Sequence, residues 1–315
     1  MSRVLFATDL SEAAGVAERL VAAIPWPTDT AFRVVTVVPW VRDLVGTPWM
    51  AVAPINAEEI DASQVTWAET NAREVTARLV ARGLDASWII MRGQPADAIV
   101  DVARRESVDL VVMGSRGLGA LEGALLGSVS EAVADRAPCP VLIARTPELR
   151  RTLVADDGSP GAEDAIEYVS KRRHLLGGVT RLLAVHWGGD LWAETFEMPM
   201  DAHSAQAMAD DQVELWRAAR GALDADAHRL QEVGQETEIE VEEGRPAAQI
   251  VESALRWRAD LVVVGSRHRT GVTRLVLGSV GRHVLHHSHC SVLLVGRMPA
   301  APSPQAQAAE PTPVT

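Results

Sequence analysis

"DLVVMGSRG" at residues 109–117 and "DLVVVGSRH" at residues 260–268 are nearly the same phrase written twice. Each closes an apolar run and leads into a glycine-bearing segment, "LGALEGALLGS" at 118–128 and "RTGVTRLVLGS" at 269–279. The correspondence extends in both directions. Gly93 and Gly244, Gly114 and Gly265, Gly127 and Gly278, and Cys139 and Cys290 are each 151 residues apart. Nearer the start of each copy, Asp9 in "VLFATDLS" matches Asp157 in "LVADDGS" at an offset of 148. A net insertion of three residues in the second copy therefore falls between these anchors, and the loop and helix after the second strand are its expected place. A period this long is a whole duplicated domain, not a solenoid unit.

Within each copy, short apolar runs alternate with longer amphipathic stretches. The first copy reads "RVLFAT", "FRVVTVV", "ASWIIM", "DLVVMG" and "PVLIAR"; the second reads "RTLVAD", "TRLLAVHW", "TEIEVEE", "DLVVVG" and "SVLLVGR". Continuous Val, Ile and Leu runs mark strands buried on both faces. The run at 237–243 alternates, with Ile239 and Val241 against Glu238, Glu240 and Glu242. That pattern predicts an edge strand with one wet face. "PADAIVDVARRES" puts Ala98, Ile99, Val102 and Ala103 on one helical stripe, and "PAAQIVESALRWR" does the same with Ile250, Val251, Ala254 and Leu255. Pro95 and Pro246 open these helices, where a missing N–H is harmless. Strand–helix alternation predicts an α/β fold with a parallel sheet, right-handed crossovers and helices on both faces.

Composition agrees. A chain of 315 residues, 47% hydrophobic and 23% charged, suits two globular domains. We expect boundaries at 1–147 and 148–298, then a Pro- and Ala-rich disordered tail at 299–315. A net charge of −12 argues against nucleic acid or an anionic membrane as partner. No run is long enough to span a bilayer. "MSRVLFATD" enters a strand at once, so neither a signal peptide nor export is expected, and the expected location is the cytoplasm. Cys139 and Cys290, the two cysteines, are expected to remain unpaired there.

In an open parallel sheet, ligands bind beyond the carboxyl ends of the strands, where strand order reverses. Thr8 and Asp9 leave the first strand there, and "GSRG" at 114–117 leaves the fourth. Glycines in that loop permit positive φ and remove side chains that would block a phosphate. Successive N–H groups then form an anion nest. Downstream, Ser128 followed by Glu131 fits a capping box, and the first turn of that helix offers a second cradle. Two cradles on a fixed spacer suit a polyphosphate.

The arrangement G-x2-G-x9-G-S from Gly114 to Ser128, with "ATDLSEAA" at the first strand, resembles the ATP-binding type of universal stress protein. The resemblance covers both copies, as in a tandem member of that family. It implies Rossmann-like doubly wound domains, each a five-stranded sheet of order 3-2-1-4-5. It also implies ATP, with or without Mg, across strands one and four. Asp9 would contact the ribose and Val37 the adenine through its backbone. Gly114, Ser115, Gly117, Gly127, Ser128, Val129 and Ser130 would hold phosphates. The last strands, "PVLIAR" and "SVLLVGR", would meet antiparallel in an intrachain pseudo-dimer, and a homodimer of tandem chains is a further expectation. No P-loop pattern occurs, and "GLGALEG" at 117–123 has the wrong place and spacing for a dinucleotide motif.

The second copy departs from the pattern. His268 replaces the glycine, Gly281 replaces Ser130, and Arg282 replaces Glu131. Asp157, Val185, Gly265, Ser266, Gly278 and Ser279 still stand at corresponding places. One reading is a decayed site. The other is weaker or altered binding, with Arg267, Arg269 and Arg282 pairing with the ligand. We expect the first site intact and the second weakened. Both loops also admit a reading as plain tight turns.

"RHVLHHSHC" at 282–290 offers His283 and His287 at metal-site spacing, against the simpler favour of a helix dipole for histidine near a C-terminus. Trp40, Trp49, Trp187 and Trp192 lie in loops after the second strand of each copy, to cover adenine, cap the core or meet a partner. No catalytic Ser-His-Asp or Cys-His set is visible in the sequence. Three functions remain open: a nucleotide-binding regulator with a protein partner, a slow ATPase, and an interaction module with empty sites.

Overall fold

The computed structural model describes residues 2–40, 57–117, 126–186, 202–266 and 277–296, with the backbone alone at 57–60, 202–212 and 215. The first half runs β1 (Ser2–Ala7), α1 (Glu12–Ala23), β2 (Thr30–Val38), α2 (Ala57–Val80), β3 (Asp85–Arg92), α3 (Pro95–Arg105), β4 (Leu110–Gly114), α4 (Ser128–Arg136) and β5 (Val141–Ala144). The second half repeats it as β6 (Arg151–Ala155), α5 (Pro160–Lys171), β7 (Val179–His186), α6 (Ala202–Glu232), β8 (Glu236–Glu243), α7 (Pro246–Trp257), β9 (Leu261–Gly265), α8 (Ser279–His287) and β10 (Ser291–Val295). A short 3-10 turn, Arg173–Leu175, follows α5.

The strands form one ten-stranded sheet of order β3-β2-β1-β4-β5-β10-β9-β6-β7-β8. Each half is parallel and has the order 3-2-1-4-5 counted within itself. Strand alternation splits the core into two layers. Val4 and Phe6 of β1 pack with Leu20 of α1 and Leu79 of α2 on one face; Leu5 and Ala7 pack with Ile99 of α3 and Val133 of α4 on the other. The second half repeats the division, with Ile166 and Leu230 on the first face and Ile250 and Val284 on the second. Leu79 and Leu230 are both fully buried and 151 residues apart. Val38 and His186, aligned by the ends of β2 and β7, are 148 apart. The three-residue insertion thus lies in the second copy, between His186 and Leu230.

The halves join through β5 and β10, which pair antiparallel, with Leu142 opposite Leu293. Those two leucines are equivalent residues 151 apart. A pseudo-two-fold axis therefore passes between them, as in an isologous dimer interface. Residues 145–150 run across the start of β10 and β9 into β6. Arg145 N–H donates to Ser291 Oγ (3.1 Å), Thr146 Oγ1 to Asp260 O (2.9 Å), and Arg150 N–H to Asp260 Oδ2 (2.9 Å).

β8 lies at the outer end of the sheet, as its alternation predicts. The α7 stripe is turned relative to its apolar letters. Ile250 and Ala254 are buried, but so is Ser253, while Leu255 is 61% exposed. Leu255 corresponds to the exposed Arg104 of α3, so the repeat locates the buried face better than apolarity does. Cys139 and Cys290 are free and buried. Burial pushes their thiols up, to about 12 and about 11. Among the described residues, no helix is long and apolar enough to cross a membrane.

Candidate functional site

The chain leaves β1 through a tight turn. Leu10 N–H donates to Thr8 Oγ1 (3.3 Å) and Ser11 N–H to Asp9 Oδ1 (3.0 Å). Ser11 then caps α1, accepting from Ala14 N–H (3.2 Å) while donating to Arg116 O (3.1 Å). The turn holds Leu10 at φ 63°, a left-handed conformation that strains a side-chain-bearing residue by about 1–2 kcal/mol. Packing of Leu10 against the core opposes that strain. The second half makes the same turn with Gly158 at φ 69° and no such penalty. There Ser159 N–H donates to Asp157 Oδ1 (3.1 Å), and Ser159 caps α5.

The loop after β4 closes at its base. Gly127 N–H donates to Ser115 O (2.8 Å), so the end of the glycine motif returns to its start. α4 begins there with Gly127 as N-cap and no side-chain cap. Ser128 is the first helical residue, so the expected capping box is absent. Glu131 turns away to the other half of the molecule (Arg282 Nη1, 3.0 Å). Ser130 is buried, and its hydroxyl donates to Gly114 O (2.8 Å). The Ser130 side chain thus ties α4 to β4, and the first turn of α4 has no side-chain cap.

The glycines act by closeness, not by positive φ. Gly114, Gly117 and Gly127 are absent from the positive-φ residues. A Cβ on Gly114 would lie 2.6 Å from Ala13 C, and one on Gly265 would lie 2.1 Å from Gly161 O. These two glycines let the first helix of each half press on the end of β4 or β9. A Cβ on Gly117 would lie 2.6 Å from Asp9 Oδ2. Gly117 therefore lets the Asp9 carboxylate lie against the loop backbone.

A cavity of about 110 Å3 brings together Thr8, Asp9, Val37, Gly114, Gly117, Val129 and Ser130. Ser115 lines a neighbouring cavity of about 370 Å3. Gly127, the N-cap of α4, and Ser128, its first residue, line neither of these two cavities. In the second half, Asp157, Val185, Gly265, Ser266, Gly278 and Ser279 line a single cavity of about 890 Å3. The second volume lies within the range of small-molecule pockets and the first below it. Met113 lines the first where the smaller Val264 lines the second, and exposed Arg116 also lines the first.

Sequence reading missed part of each wall. Pro95 and Ile99 of α3 line the first cavity, and Arg245, Pro246 and Ile250 of α7 the second. The signal was the Gly93–Gly244 anchor. These glycines take φ of 125° and 132° in the turns that lead into α3 and α7.

Several expected side chains lie elsewhere. Arg282 does not face the second cleft; it pairs with Glu131 (3.0 Å) and Asp135 (2.8 Å) of α4. Arg267, His268 and Arg269 lie outside the described residues, as do Trp49, Trp187, Trp192 and the tail. Trp40 is described, with the Arg92 guanidinium 5.1 Å from its ring. His283 and His287 stack at 4.0 Å, and His286 turns to Glu131 (3.1 Å). Among the described residues no group of three His, Cys, Asp or Glu side chains is placed to hold a metal ion.

The fold and its clefts define a duplicated doubly wound α/β protein, closed on itself as an internal dimer with one cleft per half. The model of the universal stress protein family matches residues 1–145 and again residues 148–296. The chain belongs to that family. A universal stress protein of Mycobacterium tuberculosis is 32% identical over 245 residues, which are 72% of this chain and 78% of the relative. Another from the same organism is 33% identical over 225 residues, 68% of this chain and 66% of the relative. Among solved structures, a universal stress protein from Archaeoglobus fulgidus superposes with a TM-score of 0.64 at 23% identity, covering 94% of this chain and 98% of that one. That likeness concerns the fold.

Proposed function

We propose that the protein binds adenine nucleotide and acts as a regulator, passing its bound state to a protein partner. The carrying observation is the 2.8 Å bond from Gly127 N–H to Ser115 O. It sets the uncapped start of α4 beside Asp9 and the apolar wall of Val37 and Ile99. The positive end of a helix and its unpaired amides favour phosphate there. The apolar wall suits a base, and Asp9 suits ribose hydroxyls. The donor set therefore fits ATP, with or without Mg. The cavity as it stands is smaller than a nucleotide, so in our reading the exposed Arg116 side chain that lines it moves aside when ATP enters.

The second cleft reverses the balance. It has the room and the apolar wall, including Leu183, Val185 and Ile250, but its glycine motif is interrupted at His268. In our reading the first half binds through its phosphate cradle and the second, more weakly, through its apolar wall. The test is equilibrium dialysis with ATP and with adenosine on the full chain. One tight ATP per chain that adenosine fails to match, plus a weaker site that discriminates less, is the expected result. Absence of bound ATP at millimolar concentration would defeat the proposal. Repeated turnover to ADP would favour an enzyme over a regulator.

A further inference from the structure

The contact between α4 and α8 carries a pattern that an isologous interface cannot have unless its halves differ. Glu131 and Arg282 occupy equivalent positions, 151 residues apart, and so do Asp135 and His286. Across the pseudo-two-fold these positions meet one another. Arg282 Nη1 lies 3.0 Å from Glu131 Oε1, Arg282 Nη2 lies 2.8 Å from Asp135 Oδ1, and His286 Nε2 lies 3.1 Å from Glu131 Oε1. The axis that puts Leu142 opposite Leu293 thus also puts residue 131 opposite residue 282. All acidic members belong to the first half and all basic ones to the second.

We propose that these four side chains form a pairing code for the seam. They admit a first half against a second half and reject either half against its own kind. First half on first half would bring Glu131 and Asp135 against their own copies. Second half on second half would bring Arg282 against Arg282. The apolar strands do not distinguish these cases. Val141, Leu142 and Ile143 of β5 and Val292, Leu293 and Leu294 of β10 are all almost fully buried and of one chemical kind. Burial of the strands therefore supplies adhesion, and the charges supply choice, since like charges in apposition suppress wrong partners. The fitting partner is the second half of the same chain, held near by the short linker at 145–150. A second copy of the chain fits only through the same acidic-to-basic match.

Hydrogen exchange of the β5 and β10 amides in the full chain tests the code. An acidic chain, Arg282→Glu with His286→Asp, imitates the like-with-like case. Its seam amides should exchange about tenfold faster than the parent's at low salt and slow again when salt screens the charges. An exchanged chain adds Glu131→Arg and Asp135→His, restoring complementarity with the signs reversed. Its seam should return to within about threefold of the parent. The proposal fails if the acidic chain keeps the parent's protection, or if the exchanged chain opens as readily as the acidic one. If the acidic chain does not fold, the exchanged chain decides. Folding with a protected seam supports the code, and failure of both chains overturns it.

Discussion

The two clefts stand on one backbone plan and have drifted apart in side chains. Where the first has a strained Leu10 at φ 63°, the second has Gly158 at φ 69°. Where the first has Thr8, Met113 and Ser130, the second has Asp156, Val264 and Gly281. The second cleft is roomier and its turn after β6 is relaxed. The first keeps strain and an uninterrupted glycine motif. Local strain that surrounding structure tolerates concentrates at functional sites, so the contrast favours the first cleft as the tighter of the two sites we propose.

The two halves differ most sharply in how closely the first helix approaches the sheet. In the second half Gly161 faces Gly265; in the first Ala13 faces Gly114. Gly265→Ala should therefore be the most damaging of these changes, at about 3 kcal/mol, because the new Cβ meets backbone that cannot yield. Gly114→Ala should be somewhat milder. Urea unfolding of both variants checks the order, and a Gly114 variant that is the weaker of the two would break the comparison. This contact also makes Gly265 unsuitable for probing ligand binding, since a change there acts first on stability.

Asp156 sharpens the comparison through pH. Burial pushes its carboxyl up to about 6, with nearby Asp226 and Asp157 adding to the effect and Gly158 N–H opposing it. The folded state thus holds this proton more tightly than the unfolded chain. The associated stability is full below about pH 3.9 and is lost as pH rises through 6. Above that pH the buried charge destabilises by about 3 kcal/mol. Asp156→Asn should restore that amount at pH 7.5 and change little at pH 4. His174 runs the other way. Burial pushes it down to about 4, so it lowers stability as pH falls from about 6.5. Comparing parent and variant at each pH removes that background. A thermal scan with no gain at pH 7.5 would show that the Thr8-to-Asp156 change is neutral.

Gly117→Val tests the first cleft directly. A side chain there displaces the Asp9 carboxylate, and ATP affinity should fall at least about tenfold, or 1.4 kcal/mol. The neighbour is a side chain rather than backbone, so the fold should survive. Unchanged ATP affinity, measured by calorimetry, would remove Asp9 and Gly117 from the site.

The fold was legible because the repeat locates equivalent residues, and strand and helix periods show which side of an element is buried. What a side meets was less legible. Arg282 reads as a phosphate ligand by its place at a helix start, yet its partners stand on α4 of the other half. Ser128 and Glu131 read as a capping box, yet Gly127 takes the cap. Local spacing carries no information about a neighbour brought up by the pseudo-two-fold. Likewise the spacing of Gly114, Gly117 and Gly127 locates the cleft but does not distinguish glycine for φ from glycine for close approach.

The outer edges of the sheet give the last and smallest contrast. In the first half Val102 of α3 and Ile89 of β3 belong to the same apolar layer. Their counterparts 151 residues on are Ser253 and Glu240. Ser253 Oγ donates to Glu240 Oε2 (2.9 Å), which also takes Arg181 Nη1 (3.0 Å). Burial pushes the Glu240 carboxyl up, but the hydrogen bonds from Ser253 and Arg181 outweigh it, so the group sits below its usual range. A buried polar cluster holds only while its members are satisfied. Ser253→Ala removes one donor and should destabilise by about 1 kcal/mol at pH 7. A depressed carboxyl contributes stability above its unfolded pKa and loses it as pH falls through the folded one. The deficit of the alanine variant should therefore shrink on acidification, as Glu240 takes up its proton. A deficit independent of pH, read from unfolding midpoints, would mean that Ser253 acts by packing alone, as Val102 does in the first half.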